Sequence, residues 1–180
     1  GPVEQAKPWD TNGIEGVYRF LRKFWRLFHD ENGNPNISIE KPNENELKIL
    51  HSTIKKITED IERFSFNTGV SQLMICLNEI GSCNKKEVLE VLCILISPYA
   101  PHFAEELWSI LGNSDSVTKQ KWPNVNEKYL KEDVFVYPVS FNGKMRFKLE
   151  LPADYSNQQI QNAVMENENS SKWIEGKSIV

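Results

Sequence analysis

The sequence predicts a mainly α protein: a bundle of five helices followed by a small, truncated α/β unit made of one hairpin and one helix. Three observations carry that expectation. Leu47, Leu50, Ile54, Ile57, Ile61 and Phe64 step by three and four residues, the spacing of a helix that packs along one seam. The run VLEVLCILI is apolar nearly all round, as in a helix buried at the centre of a bundle. Around Asn142-Gly143 the period then changes from helical to alternating, and Asn-Gly is the strongest short hairpin signal because both positions tolerate positive φ.

The elements follow in order. Residues 1–13, punctuated by Pro2, Pro8 and Gly13, read as a linker with Trp9 as its only anchor. Helix one is expected over 14–29. On a helical projection Val17, Tyr18, Leu21, Phe24, Trp25 and Phe28 share an arc of about 120°, extended by Ile14, while Arg19, Arg22, Lys23 and Arg26 gather on nearly the opposite side. After a turn-rich connection heavy in Asn and Pro, helix two is expected over 45–63. Helix three takes Asn67 as its N-cap and stops at Gly81, with Val70, Leu73, Met74, Leu77 and Ile80 as its apolar line. Helix four covers 85–97. Helix five starts at Pro101, which fits a first turn, and closes at Gly112. A loop then leads to the hairpin, to a capped helix in SNQQIQNAVMEN, to a turn around Trp173, and to KSIV, which reads as the start of a strand. This gives a linker at 1–13, a bundle at 14–122 and a small, incomplete unit at 123–180. The absence of an initiator methionine agrees with a fragment.

Composition narrows the function. At 39% hydrophobic and 26% charged, the 180 residues describe an ordinary globular protein, and a net charge of −4 argues against a chain that is basic overall. A local cationic stripe on a larger body remains open. Cys76, Cys83 and Cys93 are odd in number and sit in or beside apolar helical sequence, which fits buried thiols in a cytoplasmic protein. His29, His51 and His102 lie far apart and no CxxC occurs, so no zinc site is expected. No apolar run reaches transmembrane length, so no membrane partner is expected.

The stretch GVYRFLRKFWRLF is the most informative. It carries four cations and no acid beside a dense set of aromatics. A row of cations on a helix fixed by its other side is a comb for phosphates; the plainer reading is a solvated face whose stems cover apolar neighbours. On the hairpin, Met145, Phe147, Leu149 and Leu151 face one way and Lys144, Arg146 and Lys148 the other, a second cationic row. Lys85 and Lys86 have the wrong sign for a helix N-terminus, which points weakly to another role. Glu105 and Glu106 project about 100° apart and have no implied partner, so they read as surface acids, and His102 as a structural histidine.

GIEGVYRFLRKFWRLF, HSTIKKITEDIERFSFNTGVSQLM, ISPYAPHFAEELW and FNGKMRFKLELP, in that order, resemble the C-terminal third of bacterial leucyl-tRNA synthetases. The PHFAEELW block is shared with valyl, isoleucyl and methionyl enzymes; FNTGVSQLM together with the NGKMR hairpin points to the leucyl family. The resemblance implies a five-helix bundle of the class I synthetase anticodon-binding type and a small C-terminal α/β domain. It implies a parent ligase that joins leucine to tRNA(Leu) through leucyl-adenylate with ATP and Mg2+, cytoplasmic and monomeric, with catalytic and editing domains elsewhere in the same chain. The HIGH-like and KMSKS-like motifs are absent here, so this segment is expected to be non-catalytic and free of cofactor or metal, positioning tRNA through Arg19, Arg22, Lys23 and Arg26 and through Lys144, Arg146 and Lys148. The alternatives are the same role in a valyl or isoleucyl enzyme, docking of these cations on the catalytic body, a helical protein-interaction module, and a small hydrolase working from Glu105, Glu106 or His102.

Overall fold

The computed structural model describes residues 5, 6, 8, 13–130, 134–153 and 155–174. They form two compact units, 1–130 and 131–180. The expected mainly α architecture holds: five α-helices make the first unit, and a two-stranded antiparallel sheet with two α-helices makes the second. Trp9 and the strand expected at KSIV lie outside the described residues.

In the first unit α1 spans Ile14–Arg26, α2 Glu44–Glu62, α3 Phe66–Glu79, α4 Lys86–Ile96 and α5 Pro101–Ile110. Helix α4 is the centre: Val88, Leu89, Leu92, Cys93, Leu95 and Ile96 are all buried, as its all-round apolarity requires. Leu50, Ile54 and Ile57 of α2, Leu73, Cys76 and Leu77 of α3, and Ala104, Leu107 and Trp108 of α5 close the core around it. Helix α2 begins with a capping box, in which the Asn43 side chain accepts the Glu46 backbone N–H and the Glu46 carboxylate accepts that of Asn43. Pro101 occupies the first turn of α5, and Gly112 ends it at φ +84°, where a side chain would be strained.

Three expectations are corrected. Helix α3 starts two residues earlier than Asn67 implies, with Ser65 in the capping position and Phe66 as the first helical residue. The seam of α2 does not reach Phe64: the helix stops at Glu62, Phe64 turns to φ +57°, and its ring is left 70% exposed. Helix α1 is rotated about 70° from its expected seating. Its core side is Phe20, Phe24, Leu27 and Phe28, whereas Ile14, Val17 and Tyr18 are exposed. The cause is the width of its apolar surface, about half the circumference, of which the bundle covers only part. The seating is set by Phe24, stacked on Phe28 (6.0 Å) and edge-on to Phe103 of α5 (5.7 Å).

After α5 the chain runs back across α2. The Trp122 indole N–H donates to Thr58 Oγ1 (2.8 Å), the Asn126 backbone N–H donates to His51 Nδ1 (3.2 Å), and the His51 ring stacks on Tyr129 at 5.0 Å. His51, Lys55 and Thr58 lie on one stripe of α2, so one helix face holds this whole strap.

In the second unit β1 (Val134–Phe141) pairs with β2 (Lys144–Pro152), with Phe141 opposite Lys144 and the turn at Asn142 (φ +52°) and Gly143 (φ +74°). An irregularity at Val139/Ser140 shifts the register. Helix α6 (Asn157–Glu166) is capped by Ser156 with Gln159. Where a turn around Trp173 is expected, a short helix α7 (Glu168–Ile174) forms instead.

Candidate nucleic-acid interface

Helix α1 presents its four cations as the projection predicts. Arg19, Arg22, Lys23 and Arg26 are all exposed, and among the described residues none of them forms an ion pair. Lys23 Nζ donates to Asn78 Oδ1 on α3, which ties it to the bundle surface. The Arg22 guanidinium lies over the Tyr18 ring at 5.6 Å. Three arginines on successive turns, held by a phenylalanine-rich core behind them, form a rigid face that stays net positive, with Glu15 in the first turn as its one acid and no ion pair to it among the described residues. Such a face attracts polyanions and gains from counterion release.

The rotation of α1 adds something the projection missed. Tyr18, 60% exposed, borders the arginine row, so one aromatic ring and the guanidinium groups share a surface. The signal was present in the sequence: nine apolar side chains span too wide an arc for one contact face. Trp25, by contrast, is half-buried between His29 (4.2 Å, stacked) and Phe103. The apolar residues left on α1 are therefore Ile14, Val17 and Tyr18.

On the hairpin, Lys144 and Lys148 are exposed, and Phe147, Leu149 and Leu151 turn toward the unit's interior, as the alternation predicts. Met145 departs from it, exposed near the turn. Arg146 also differs, because its guanidinium sits 4.0 Å over the Trp173 ring, which in turn stacks on Phe141. It thus covers the Trp173–Phe141 aromatic pair.

Lys85 is accounted for within the fold. Its ammonium pairs with Glu46 (2.8 Å), with only 17% of the side chain exposed, and joins the start of α4 to the capping box of α2. Burial opposes ionisation of Glu46, but the hydrogen bonds from Lys85 and the Asn43 backbone hold its carboxyl below the usual range; the same bond holds Lys85 above its own. Lys86 lies 3.7 Å from Glu90 one turn on. The wrong sign at this helix start is therefore balanced by acids of the bundle. Glu105 also proves more than a surface acid: it accepts the Ser116 hydroxyl and the Val117 N–H and so fastens a 3-10 turn at Val117–Lys119, bonds that lower its pKa. Glu106 and His102 are exposed.

No arrangement of these groups suggests covalent chemistry. An open groove of about 410 Å3 on α2 and α3 is lined by Asn45, Lys48, Ile49, Ser52 and Glu79, without a histidine or thiol beside its one hydroxyl. Among the described residues no three His, Cys, Asp or Glu side chains converge as metal ligands. Cys76, Cys83 and Cys93 are free and buried, and burial pushes the Cys76 thiol up to about 11, far from thiolate reactivity. No helix among the described residues is long and apolar enough to cross a membrane.

A cationic helix face on a small bundle and, in the second unit, a basic hairpin are features of a binding module, and the family comparison agrees. Residues 45–161, well over half of the chain, match the family described as the anticodon-binding domain of tRNA ligase, and the chain belongs to that family. Within it, the chain is similar to the leucine–tRNA ligases of Cytophaga hutchinsonii and Bacteroides thetaiotaomicron, at 57% and 56% identity over 180 residues. These alignments cover 99% of this chain but 20% and 19% of the relatives, so it spans about a fifth of their length. A solved structure of the Agrobacterium radiobacter LeuRS–tRNA–LeuAMS ternary complex aligns with a TM-score of 0.72 at 26% identity, over 97% of this chain and 24% of that one. The resemblance carried by the FNTGVSQLM and NGKMR blocks is thus borne out.

Proposed function

We propose that this chain is the tRNA-positioning segment of a leucine–tRNA ligase. Aminoacylation with ATP and Mg2+, and the catalytic and editing domains, belong under this reading to other parts of the same parent chain; the segment binds tRNA(Leu) and catalyses nothing. The observation that carries the proposal is the unpaired row Arg19, Arg22 and Arg26 on a helix whose opposite side is locked in the core. Phosphate contacts of this kind orient an RNA without reading bases. Lys144 and Lys148 of the hairpin form a second phosphate-contacting row, with Arg146 and Lys23 in supporting places.

Anisotropy of labelled tRNA(Leu), titrated with the 180-residue protein at several salt concentrations, tests this. Each phosphate contact contributes roughly 0.7 to 0.9 to the slope of log K against log salt. An Arg19/Arg22/Arg26→Ala variant should therefore bind more weakly and lose about two units of slope. If slope and affinity stay at wild-type values, these arginines serve docking to the rest of the parent chain instead.

A further inference from the structure

We infer that Tyr18 is a stacking platform for an unpaired base of the bound RNA, with the neighbouring arginines holding the phosphates that flank it. The inference rests on the tRNA-binding reading and deepens it, since a comb of cations alone distinguishes no RNA element from another.

Four observations converge. The Tyr18 ring is 60% exposed although it belongs to a helix rich in core aromatics, because Phe20, Phe24 and Phe28 take the inward side. It is presented by a helix, not a loop, so its direction is set by the packing of Phe24 against Phe28 and Phe103. The Arg22 guanidinium, one turn on, lies 5.6 Å from the ring centroid. Arg19 and Arg26 stand two turns apart on the same face, on either side of Arg22, without acidic partners. An aromatic face edged by guanidinium groups is how proteins hold splayed-out bases, the ring taking the base and the cations the backbone on either side. A base-paired helix offers no base face to such a ring, so the partner is a nucleotide in a loop, a bulge or a single strand. A protein surface covering Ile14, Val17 and Tyr18 would fit less well. It would desolvate Arg22 unless it also supplied a carboxylate there, whereas a nucleotide brings the flat apolar surface and the anion together.

The test compares wild type, Tyr18→Ala, Tyr18→Phe and the Arg19/Arg22/Arg26→Ala variant, all as the full 180-residue chain. Each is titrated into tRNA(Leu) and into a fully paired RNA duplex across a range of salt. Stacking releases no counterions. Tyr18→Ala should therefore weaken tRNA binding by about fivefold or more at every salt concentration, the lower end for a base on an aromatic ring, with an unchanged slope. Tyr18→Phe should bind within about twofold of wild type, because it keeps the ring, and duplex binding should be indifferent to both substitutions. Circular dichroism checks that the exposed substitution leaves the bundle intact. Wild-type tRNA affinity in Tyr18→Ala overturns the stacking inference while leaving the phosphate comb standing. So does an equal loss on duplex RNA. If the arginine variant also keeps its slope, the tRNA-binding reading falls with it.

Discussion

Substituting Gly69 by alanine isolates one packing choice in the block that carries the family resemblance. Gly69 lies in the first turns of α3, and a Cβ built on it would stand 2.2 Å from Tyr99 Oη and 3.1 Å from Tyr99 Cζ. The tyrosine follows α4 and rests edge-on against Phe66 at 6.3 Å. Its hydroxyl is buried and has no hydrogen-bond partner, and burial, with the nearby Asp60 charge, pushes its pKa up. Alanine would gain about 1 kcal/mol of helix propensity over glycine. Displacing the phenol costs roughly 1–3 kcal/mol as overpacking, so Gly69→Ala should destabilise by about 1 kcal/mol. Removing the hydroxyl reverses the sign. Tyr99→Phe deletes a buried polar atom that lacks a partner, a group that costs about 1–3 kcal/mol when left unmatched. It also leaves the ring carbon at 3.1 Å as the nearest atom, a few tenths of an ångström too close. In that background Gly69→Ala should be neutral or stabilising by up to about 1 kcal/mol, a coupling of roughly 1–2 kcal/mol between the sites. Urea unfolding of the four proteins, followed by circular dichroism at constant m-value, measures it. The same cost for Gly69→Ala in both backgrounds would refute the steric account.

Two further outcomes follow from local geometry. Burial holds the His51 pKa below its ordinary value of about 6.5, and Nδ1 accepts the Asn126 N–H, beside the Lys55–Glu127 pair and Lys128. A depressed histidine contributes stability that is complete above pH 6.5 and lost as pH falls through its folded value. Tryptic cleavage at Lys128 should therefore accelerate between pH 7 and pH 5.5, relative to a peptide control, and His51→Ala should be cleaved rapidly at both; equal rates for wild type and variant would contradict it. Asn43→Ala removes half of the α2 capping box and should lower stability by about 1 kcal/mol, while Asn43→Asp restores it; thermal unfolding of the pair decides.

What was legible along the chain was whatever depends on near neighbours. The Asn142-Gly143 turn, Pro101 at a first turn, Gly112 at a helix end and the buried α4 run each follow from local backbone energetics or from an unbroken apolar pattern. The cation row of α1 was legible for the same reason, since helical periodicity alone places Arg19, Arg22 and Arg26 on one side. The seating of α1 was not. Its apolar surface covers about half the helix, and only what packs against it, Phe103 of α5 on Phe24 and Trp25 together with α3, decides that Phe20 and Leu27 go inward and Tyr18 outward. The ion pair of Lys85 was not legible for a related reason, because its partner Glu46 lies 39 residues away and no local pattern links them. Arg146 shows the same limit within the second unit, where α7 brings Trp173 under its guanidinium. The sequence by itself thus determined helices α1 to α6, the hairpin and the sign of each face, because these are set by interactions a few residues long. The tertiary structure alone decided which charges stay free and which aromatic faces solvent, because burial depends on what packs against a face and not on the face itself.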